Sequence, residues 1–369
     1  MNCANIAPLS NESIKSGMRA LETRQRPYLI RREDWFEPIT QLKQEFAQLI
    51  NCGDHRRIVL VPSVSYGIAT VVKNVPIAAG EEVIVVGEQY PSNYYSWKSK
   101  VESSGGSIKV IHAPKDNRER STVWNRKILE SITTKTKVVA IANVHWTDGT
   151  WFDLETISNR AKECNALLVI DGSQSIGALP FDIQKIKPDA VFTVGYKWLL
   201  GPFALGLGYL GDFFDNGTPL EENWVNRKDG RNFENLVNYT DLYGPVATRY
   251  NMGENSNFHL VPILQTAVRQ LNEWGPSNIQ AHGHKLSKCI QNELKPFGAV
   301  FDHSEHTVGH LLGIRFDKKV NLQQLHEKLI ASKVHVSLRG EVIRISLSVF
   351  NDFNDVDKLV SSVKTMIAN

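Results

Sequence analysis

The sequence lacks most of what would mark a membrane, secreted or nucleic-acid-binding protein. No stretch approaches the ~20 apolar residues that a bilayer-spanning helix requires, so no membrane crossing is expected. Charge of either sign is not in excess: 42 Lys and Arg against 39 Asp and Glu leave +3, too little to argue for nucleic acid or an acidic membrane surface. Cysteine is sparse. Cys3, Cys52, Cys164 and Cys289 lie far apart with no C-x-x-C pair, which excludes a disulfide framework and the common zinc spacings and fits reduced thiols in a cytoplasm. The opening "MNCANIAPLSNESIKSGMRA" has no basic stretch followed by an apolar run, so a secretory signal is not expected there. Internal repeats and low-complexity tracts are also missing.

What is present is a regular alternation. "RIVLVP", "EEVIVVG", "SIKVIHAP", "KVVAIANVHW", "LLVIDGSQ", "AVFTVG" and "LGLGYLG" read as short strands. Amphipathic helical segments such as "SYGIATVVKNV", "STVWNRKILESITTKT" and "DLETISNRAKECNA" separate the first five. Four-to-eight-residue strands alternating with helices mean βαβ units and a mostly parallel sheet covered on both faces. After about residue 250 the pattern changes to two long helices, "LVPILQTAVRQLNEWG" and "NIQAHGHKLSKCIQNELKPFG", then a smaller mixture of strands and helices. The expected architecture is α/β. A large domain over 15–250 carries a mostly parallel seven-stranded sheet, and a small α+β domain comprises 251–369 with the N-terminal segment 1–14. The polar stretch 221–245 reads as a long active-site or interface loop.

One acid and one lysine stand out. Asp171 ends the strand "LLVI", and Lys197 follows "AVFTVG" between Tyr196 and Trp198. Ligands of open α/β sheets sit at the carboxyl ends of the strands, so both side chains are expected at one crevice. Lysine serves covalent catalysis by forming a Schiff base with a carbonyl substrate or with pyridoxal phosphate. An aspartate facing a pyridinium nitrogen is the other half of a pyridoxal phosphate site. Residue types alone leave a plain alternative open, with Asp171 capping a turn and Lys197 on the surface.

The surroundings of the pair narrow the reading. "VIDGSQSIGALPFDI" and "YKWLLGPFALGLGYL" resemble the D-[GA]-[AS]-Q-x-x-G and [HY]-K-x-x-x-G-P-x-G-x-G-x-L runs of class V aminotransferases. These are fold-type I pyridoxal phosphate enzymes, a group that includes cysteine desulfurases and isopenicillin N epimerase. The likeness runs over almost the whole chain, with Ala204 where a glycine is usual. It implies that Lys197 forms the bond to pyridoxal 5'-phosphate, that Asp171 pairs with the ring nitrogen, that Gln174 meets the phenolic oxygen, and that Ser173 lies against one ring face. It places Val64 and Ser65, at a strand–turn–helix, on the phosphate, where the bland alternative is a serine helix cap. Tyr90 takes the position of a histidine that stacks on the ring, with a core tyrosine as the alternative. Tyr196 stands where histidine is common and offers a hydroxyl to the phosphate. Trp146 occupies the place of an asparagine that it cannot replace as an acceptor. "VIRISLSVFNDFNDVD" resembles the C-terminal motif whose arginine, here Arg344, binds the substrate α-carboxylate; a surface salt bridge is its alternative.

The resemblance further implies a homodimer in which a partner's Gly-Thr reaches the phosphate. Here Gly253 is followed by Glu254, which repels phosphate, so Gly253 and Asn255 are the expected contacts, with Asn255, Ser256 or a backbone N–H as the donor and Arg249 reaching the same region. Desulfurases carry a nucleophilic cysteine shortly before that arginine, and no cysteine lies between Phe301 and Arg344. Desulfurase activity is therefore not expected. Transamination, epimerisation and C–S or β-elimination on a small amino-acid substrate stay open, as does a catalytically silent binding protein. The histidines of "HSEHTVGH" (His303, His306, His310) are not expected to share a face, so no metal is assigned.

Overall fold

The computed structural model describes residues 1–115, 118–304, 306–317 and 320–368. Two helices, α1 (Asn11–Arg24) and α2 (Glu37–Leu49), precede the first strand. The alternating part follows as β1 (Ile58–Val61), α3 (Val64–Asn74), β2 (Glu82–Val86), α4 (Ser92–Ser104), β3 (Ser107–Ile111), α5 (Arg120–Ser131), β4 (Thr136–Ala142), α6 (Leu154–Glu163) and β5 (Leu167–Asp171). A one-turn α7 (Ile183–Ile186) then leads to β6 (Ala190–Val194) and β7 (Gly206–Leu210). The remainder comprises α8 (Leu260–Trp274), α9 (Pro276–Leu294), β8 (Ala299–Val300), β9 (Leu311–Phe316), α10 (Leu322–Ala331), β10 (Ser337–Arg339), β11 (Val342–Ser346) and α11 (Phe353–Ala368).

The large sheet has seven strands in the order β1-β7-β6-β5-β4-β2-β3, and β7 runs antiparallel to both its neighbours. The other pairings are parallel. Several strands are buried along their length: the edge strand β1, and β6 and β5 from Leu168 onward, expose almost nothing. A strand covered on both faces must be apolar throughout, which is why these segments read as unbroken Val/Ile/Leu runs rather than alternating ones. The small sheet is β10-β11-β9-β8, wholly antiparallel. Its core, including Leu325, Ile343, Ile345 and Leu359, is distinct from the two clusters on either face of the large sheet.

A division at residue 250 does not coincide with these cores. Val261, Leu264, Ala267, Val268 and Leu271 of α8 join the large-sheet core, and α8 packs on α1 and α2. The switch falls inside α9, where Ile279 belongs to the large core and Leu286, Ile290 and Leu294 to the small one. The first residues tie the two units together. Ala4 donates to Ser346 Oγ at 3.0 Å, Ala7 N donates to the Tyr196 carbonyl at 2.9 Å, and Asn2 bridges to Ser346. Loop 221–245 is folded against the body by an aromatic cluster in which Trp224 packs edge-on with Trp35 and Phe36, and Phe233 edge-on with Trp35 and tilted on Phe36. Among the described residues no helix is long and apolar enough to cross a membrane, and the four cysteines are free thiols.

Candidate active site

Parallel strands that all point one way bring their carboxyl ends to one edge, and the chain places its reactive side chains there. A cavity at that edge is lined by Ser63, Val64 and Ser65 after β1, Tyr90 after β2, Asp171 at the end of β5 with Ser173 beyond it, and Tyr196 and Lys197 after β6; Phe203 to Gly206, leading into β7, closes it. Asp171 is the one carboxylate among these lining residues.

Lys197 sits on a tightly tied loop. Gly195 donates to Leu205, Gly201 to Gly195, and Leu200 to the Lys197 carbonyl, all within 3.0 Å. Two residues of this loop, Leu200 (φ 52°) and Ala204 (φ 60°), hold the left-handed conformation that side chains disfavour. Ala204 thus stands where the backbone itself favours glycine. The opposing loop needs one outright: Gly177 has φ 104°, and a Cβ there would overlap the Trp198 carbonyl. Lys197 is 7% exposed, and among the described residues its amine forms no ion pair within 4 Å. Its Nζ lies 5.3 Å from the Tyr90 ring centre and 5.7 Å from that of Tyr196. Burial pulls its pKa down to about 8; Asp171 opposes this, while Arg344 and Arg339 push the same way. A lysine of that kind holds a substantial neutral, nucleophilic fraction near neutral pH.

Asp171 is buried, and its Oδ1 accepts from Ser173 N at 3.0 Å. Ser63 caps α3, accepting from Tyr66 N at 3.2 Å, and its hydroxyl lies 2.8 Å from that of Ser65. The first turn of α3 therefore presents N–H groups and two hydroxyls to the cavity, an arrangement suited to a phosphate. The Tyr196 ring lies 4.3 Å from Phe203, a residue 64% exposed at the mouth. Tyr90 meets Trp146 edge-on at 5.5 Å.

On the other side, Trp146 Nε1 donates to the Glu88 carbonyl at 2.7 Å, and the Trp146 carbonyl accepts from Arg344 Nη1 at 2.7 Å. Arg344 is 1% exposed; its Nη2 reaches Ser337 Oγ at 3.4 Å, and its Nε is buried without a partner. Burial, then the nearby Arg339, lowers its pKa to about 9, which still leaves it charged at neutral pH. A buried guanidinium with an unanswered N–H and, among the described residues, no carboxylate partner is built to receive an anion.

Five expected site residues do not line this cavity: Trp146 and Arg344, which lie beyond Tyr90, and Gln174, Gly253 and Asn255. Gln174, expected at a ring oxygen, donates through Nε2 to the Ala4 carbonyl at 3.0 Å and accepts from Trp198 Nε1 at 2.9 Å. These bonds lock the N-terminal segment and the lysine loop together. Gly253 N donates to the Glu221 carboxylate, and Asn255 is buried; neither lines the cavity of its own chain. Arg249 donates to the Gly217 carbonyl, and Ser256 to that of Trp35.

Sequence reading missed Ser63, Phe203 and His310. Ser63 was legible as the cap of the helix that holds Ser65. His310, weighed only as a metal ligand, is fully buried; its Nε2 donates to the Gln174 carbonyl at 2.7 Å, and its Nδ1 accepts from Gln280 Nε2 at 2.6 Å. Burial lowers its pKa to about 4, fixing a neutral ring that props the Asp171–Gln174 loop. His306 instead packs against Trp151 in a tilted pair, ring centres 5.0 Å apart.

A buried, ion-pair-free lysine, a carboxylate at the next strand end, an aromatic wall and a helix start with two hydroxyls fit pyridoxal phosphate group by group. With the seven-stranded sheet and smaller C-terminal unit, they define the fold-type I pyridoxal phosphate architecture. The chain belongs to the Aminotransferase class-V family, whose model matches residues 30–359. Among curated relatives it is 20% identical over 351 residues to an uncharacterized aminotransferase of Schizosaccharomyces pombe, covering 91% of this chain and 83% of that protein. It is 26% identical over 351 residues to a probable cysteine desulfurase of Methanothermobacter thermautotrophicus, covering 87% and 82%. Among solved structures, the cystine C-S lyase C-DES superposes with a TM-score of 0.86 at 17% identity over 99% of this chain and 97% of that one. The Escherichia coli cysteine desulfurase CsdA gives 0.82 at 16% identity over 100% and 94%.

Proposed function

We propose that this chain is an enzyme that uses Lys197 and pyridoxal 5'-phosphate to act on an α-amino acid, by a transamination-type reaction rather than desulfuration. The observation that carries the reading is the Lys197 amine itself: buried, held near a pKa of 8, and faced by Asp171 across the crevice. Such a charge-ready group without an ion-pair partner has no evident structural use.

When bound, the cofactor supplies a carbonyl that captures the substrate amine and a ring that accepts the electron pair left at Cα. The chain does the rest. Asp171 would pair with the ring nitrogen and keep it protonated. The α3 start, with Ser63, Val64 and Ser65, would hold the phosphate, together with Tyr196, and Tyr90 and Ser173 would hold the ring. Arg344 binds the α-carboxylate while its Nη1 keeps the Trp146 carbonyl, so Trp146 lines the substrate side. Lys197, once released, is the base that takes the Cα proton and returns it.

What speaks against desulfuration is the state of the thiols. Cys3, which approaches β11 through the N-terminal segment, is 1% exposed, and burial pushes its pKa up. That is the reverse of a reactive thiolate. C–S lysis or epimerisation would use the same first proton transfer. The reading includes a homodimer: Ile14, Met18 and Leu21 form an exposed apolar stripe on α1.

The test is a scan of amino acids against the reconstituted protein, with product analysis. Accumulation of a 2-oxo acid with the cofactor converted to its amine form is expected. Sulfide release, or a racemised amino acid with no oxo acid, contradicts the transamination reading.

A further inference from the structure

The hairpin β10–β11 carries a second cation that the functions above do not use. In its register Ser337 faces Arg344, and Arg339 faces Val342. Residues opposite one another on an antiparallel pair point to the same side. Ser337, Arg339, Val342 and Arg344 therefore share one face, while Leu338 and Ile343 on the other pack into the small core. Arg339 and Arg344 are diagonal neighbours on a face turned toward the active site. The Arg339 guanidinium lies 5.7 Å from the Trp146 ring centre, and Trp146 is the residue whose carbonyl Arg344 holds. Trp146 in turn meets Tyr90, which lines the lysine cavity.

Two like charges at this spacing repel, and a pair of this kind ordinarily has an acid between or beside its members. Here there is none. Among the described residues neither Arg339 nor Arg344 forms an ion pair, Arg339 makes its bond to the Leu338 carbonyl at 2.9 Å, and Arg344 Nε is buried and unanswered. One carboxylate answers one guanidinium. An α-amino acid with a neutral side chain would satisfy Arg344 and leave Arg339 facing it unneutralised.

We propose that the substrate is an acidic α-amino acid, a dicarboxylate of the aspartate or glutamate type. Arg344 takes its α-carboxylate, and Arg339, stacked on Trp146, takes the side-chain carboxylate. The proposal rests on the reading of Lys197 as the cofactor-bearing lysine, and it adds the substrate class. Arg339 is then the specificity-determining residue. Its planar fork, already laid on an aromatic face, suits bidentate capture of a carboxylate.

The experiment uses the full chain reconstituted with pyridoxal phosphate and follows its visible band during titration with L-aspartate, L-glutamate, L-asparagine and L-glutamine. Each acid and its amide have nearly the same shape, so the comparison isolates charge. The expected result is that one acid perturbs the band at a concentration roughly 10- to 100-fold lower than its amide, the range of one charge-assisted hydrogen-bond pair. In Arg339→Gln the acid-to-amide ratio falls to within about threefold, and in Arg339→Lys part of it returns. Equal potency of acid and amide in the unsubstituted protein, or a preference that survives Arg339→Gln, overturns the proposal. Failure of the cofactor reading looks different, because no visible band forms at all. In that case calorimetry of the unloaded chain with succinate against butyrate tests the arginine pair directly. Tighter binding of the dianion, lost in Arg339→Gln, supports it; equal binding overturns it.

Discussion

Lys197 shows how one residue's chemistry follows from its surroundings. An exposed lysine titrates near 10.5 and is almost wholly protonated at neutral pH. Burial lowers this one to about 8, with Arg344 and Arg339 pushing the same way. The neutral amine is the form that attacks a carbonyl. Capture of pyridoxal phosphate by the unloaded chain should therefore quicken about tenfold per pH unit below 8 and level off just above it. Trapping with borohydride at a series of pH values measures this. A rate that keeps climbing toward pH 10 would show an ordinary, solvated lysine. Gln174 gives the opposite lesson. Its position in the Asp-Gly-Ser-Gln run suggests a cofactor contact, yet its amide is taken up by Ala4 and Trp198. Those partners lie 170 and 24 positions away, and no local pattern in the sequence announces them.

At the scale of elements, the start of α3 combines two tasks that can be separated. Ser63 caps the helix through Tyr66 N, whereas Ser65 makes no backbone cap and turns its hydroxyl toward Ser63. Ser63→Ala should cost about 1 kcal/mol of stability, the usual value of a serine cap, readable as a lowered denaturation midpoint. Ser65→Ala should leave that midpoint within about 0.5 kcal/mol but speed loss of the cofactor on dilution. If both variants lose stability equally and hold the cofactor equally, Ser65 has only a structural part.

The elements themselves were largely legible, because buried parallel strands must be apolar runs and their crossover helices must be amphipathic. Helices α1 and α2 were not read. Their packing partner is α8, more than two hundred residues away, and α1 has a mean character too polar to stand out. Arg344 was legible from its motif. Arg339 was not, because only the register of β10 on β11 shows that it shares a face with Arg344.

At the scale of the whole molecule, His310 links the two units. From the entry to β9 it supports the Gln174 carbonyl and accepts from Gln280 on α9. Its folded pKa, lowered to about 4 chiefly by burial, lies below the unfolded value of 6.5. As pH falls the unfolded chain takes up this proton first, so the sign is fixed. The stability present above pH 6.5 is lost progressively down to pH 4, by roughly 3 kcal/mol. Urea midpoints at pH 7 and pH 4.5 measure the loss. His310→Gln, though less stable at pH 7, should show a flatter decline; an unchanged decline would assign the acid sensitivity to other groups.

The central claim is that the acid and the lysine brought together by β5 and β6 are the two ends of a pyridoxal phosphate site. The most direct measurement is a visible spectrum of the protein reconstituted with pyridoxal phosphate, before and after borohydride, followed by peptide mapping. The account predicts a yellow protein that borohydride bleaches, with the reduced cofactor fixed on Lys197 and no such band in Lys197→Ala. A protein that stays colourless, or one that carries the label on another lysine, would contradict it.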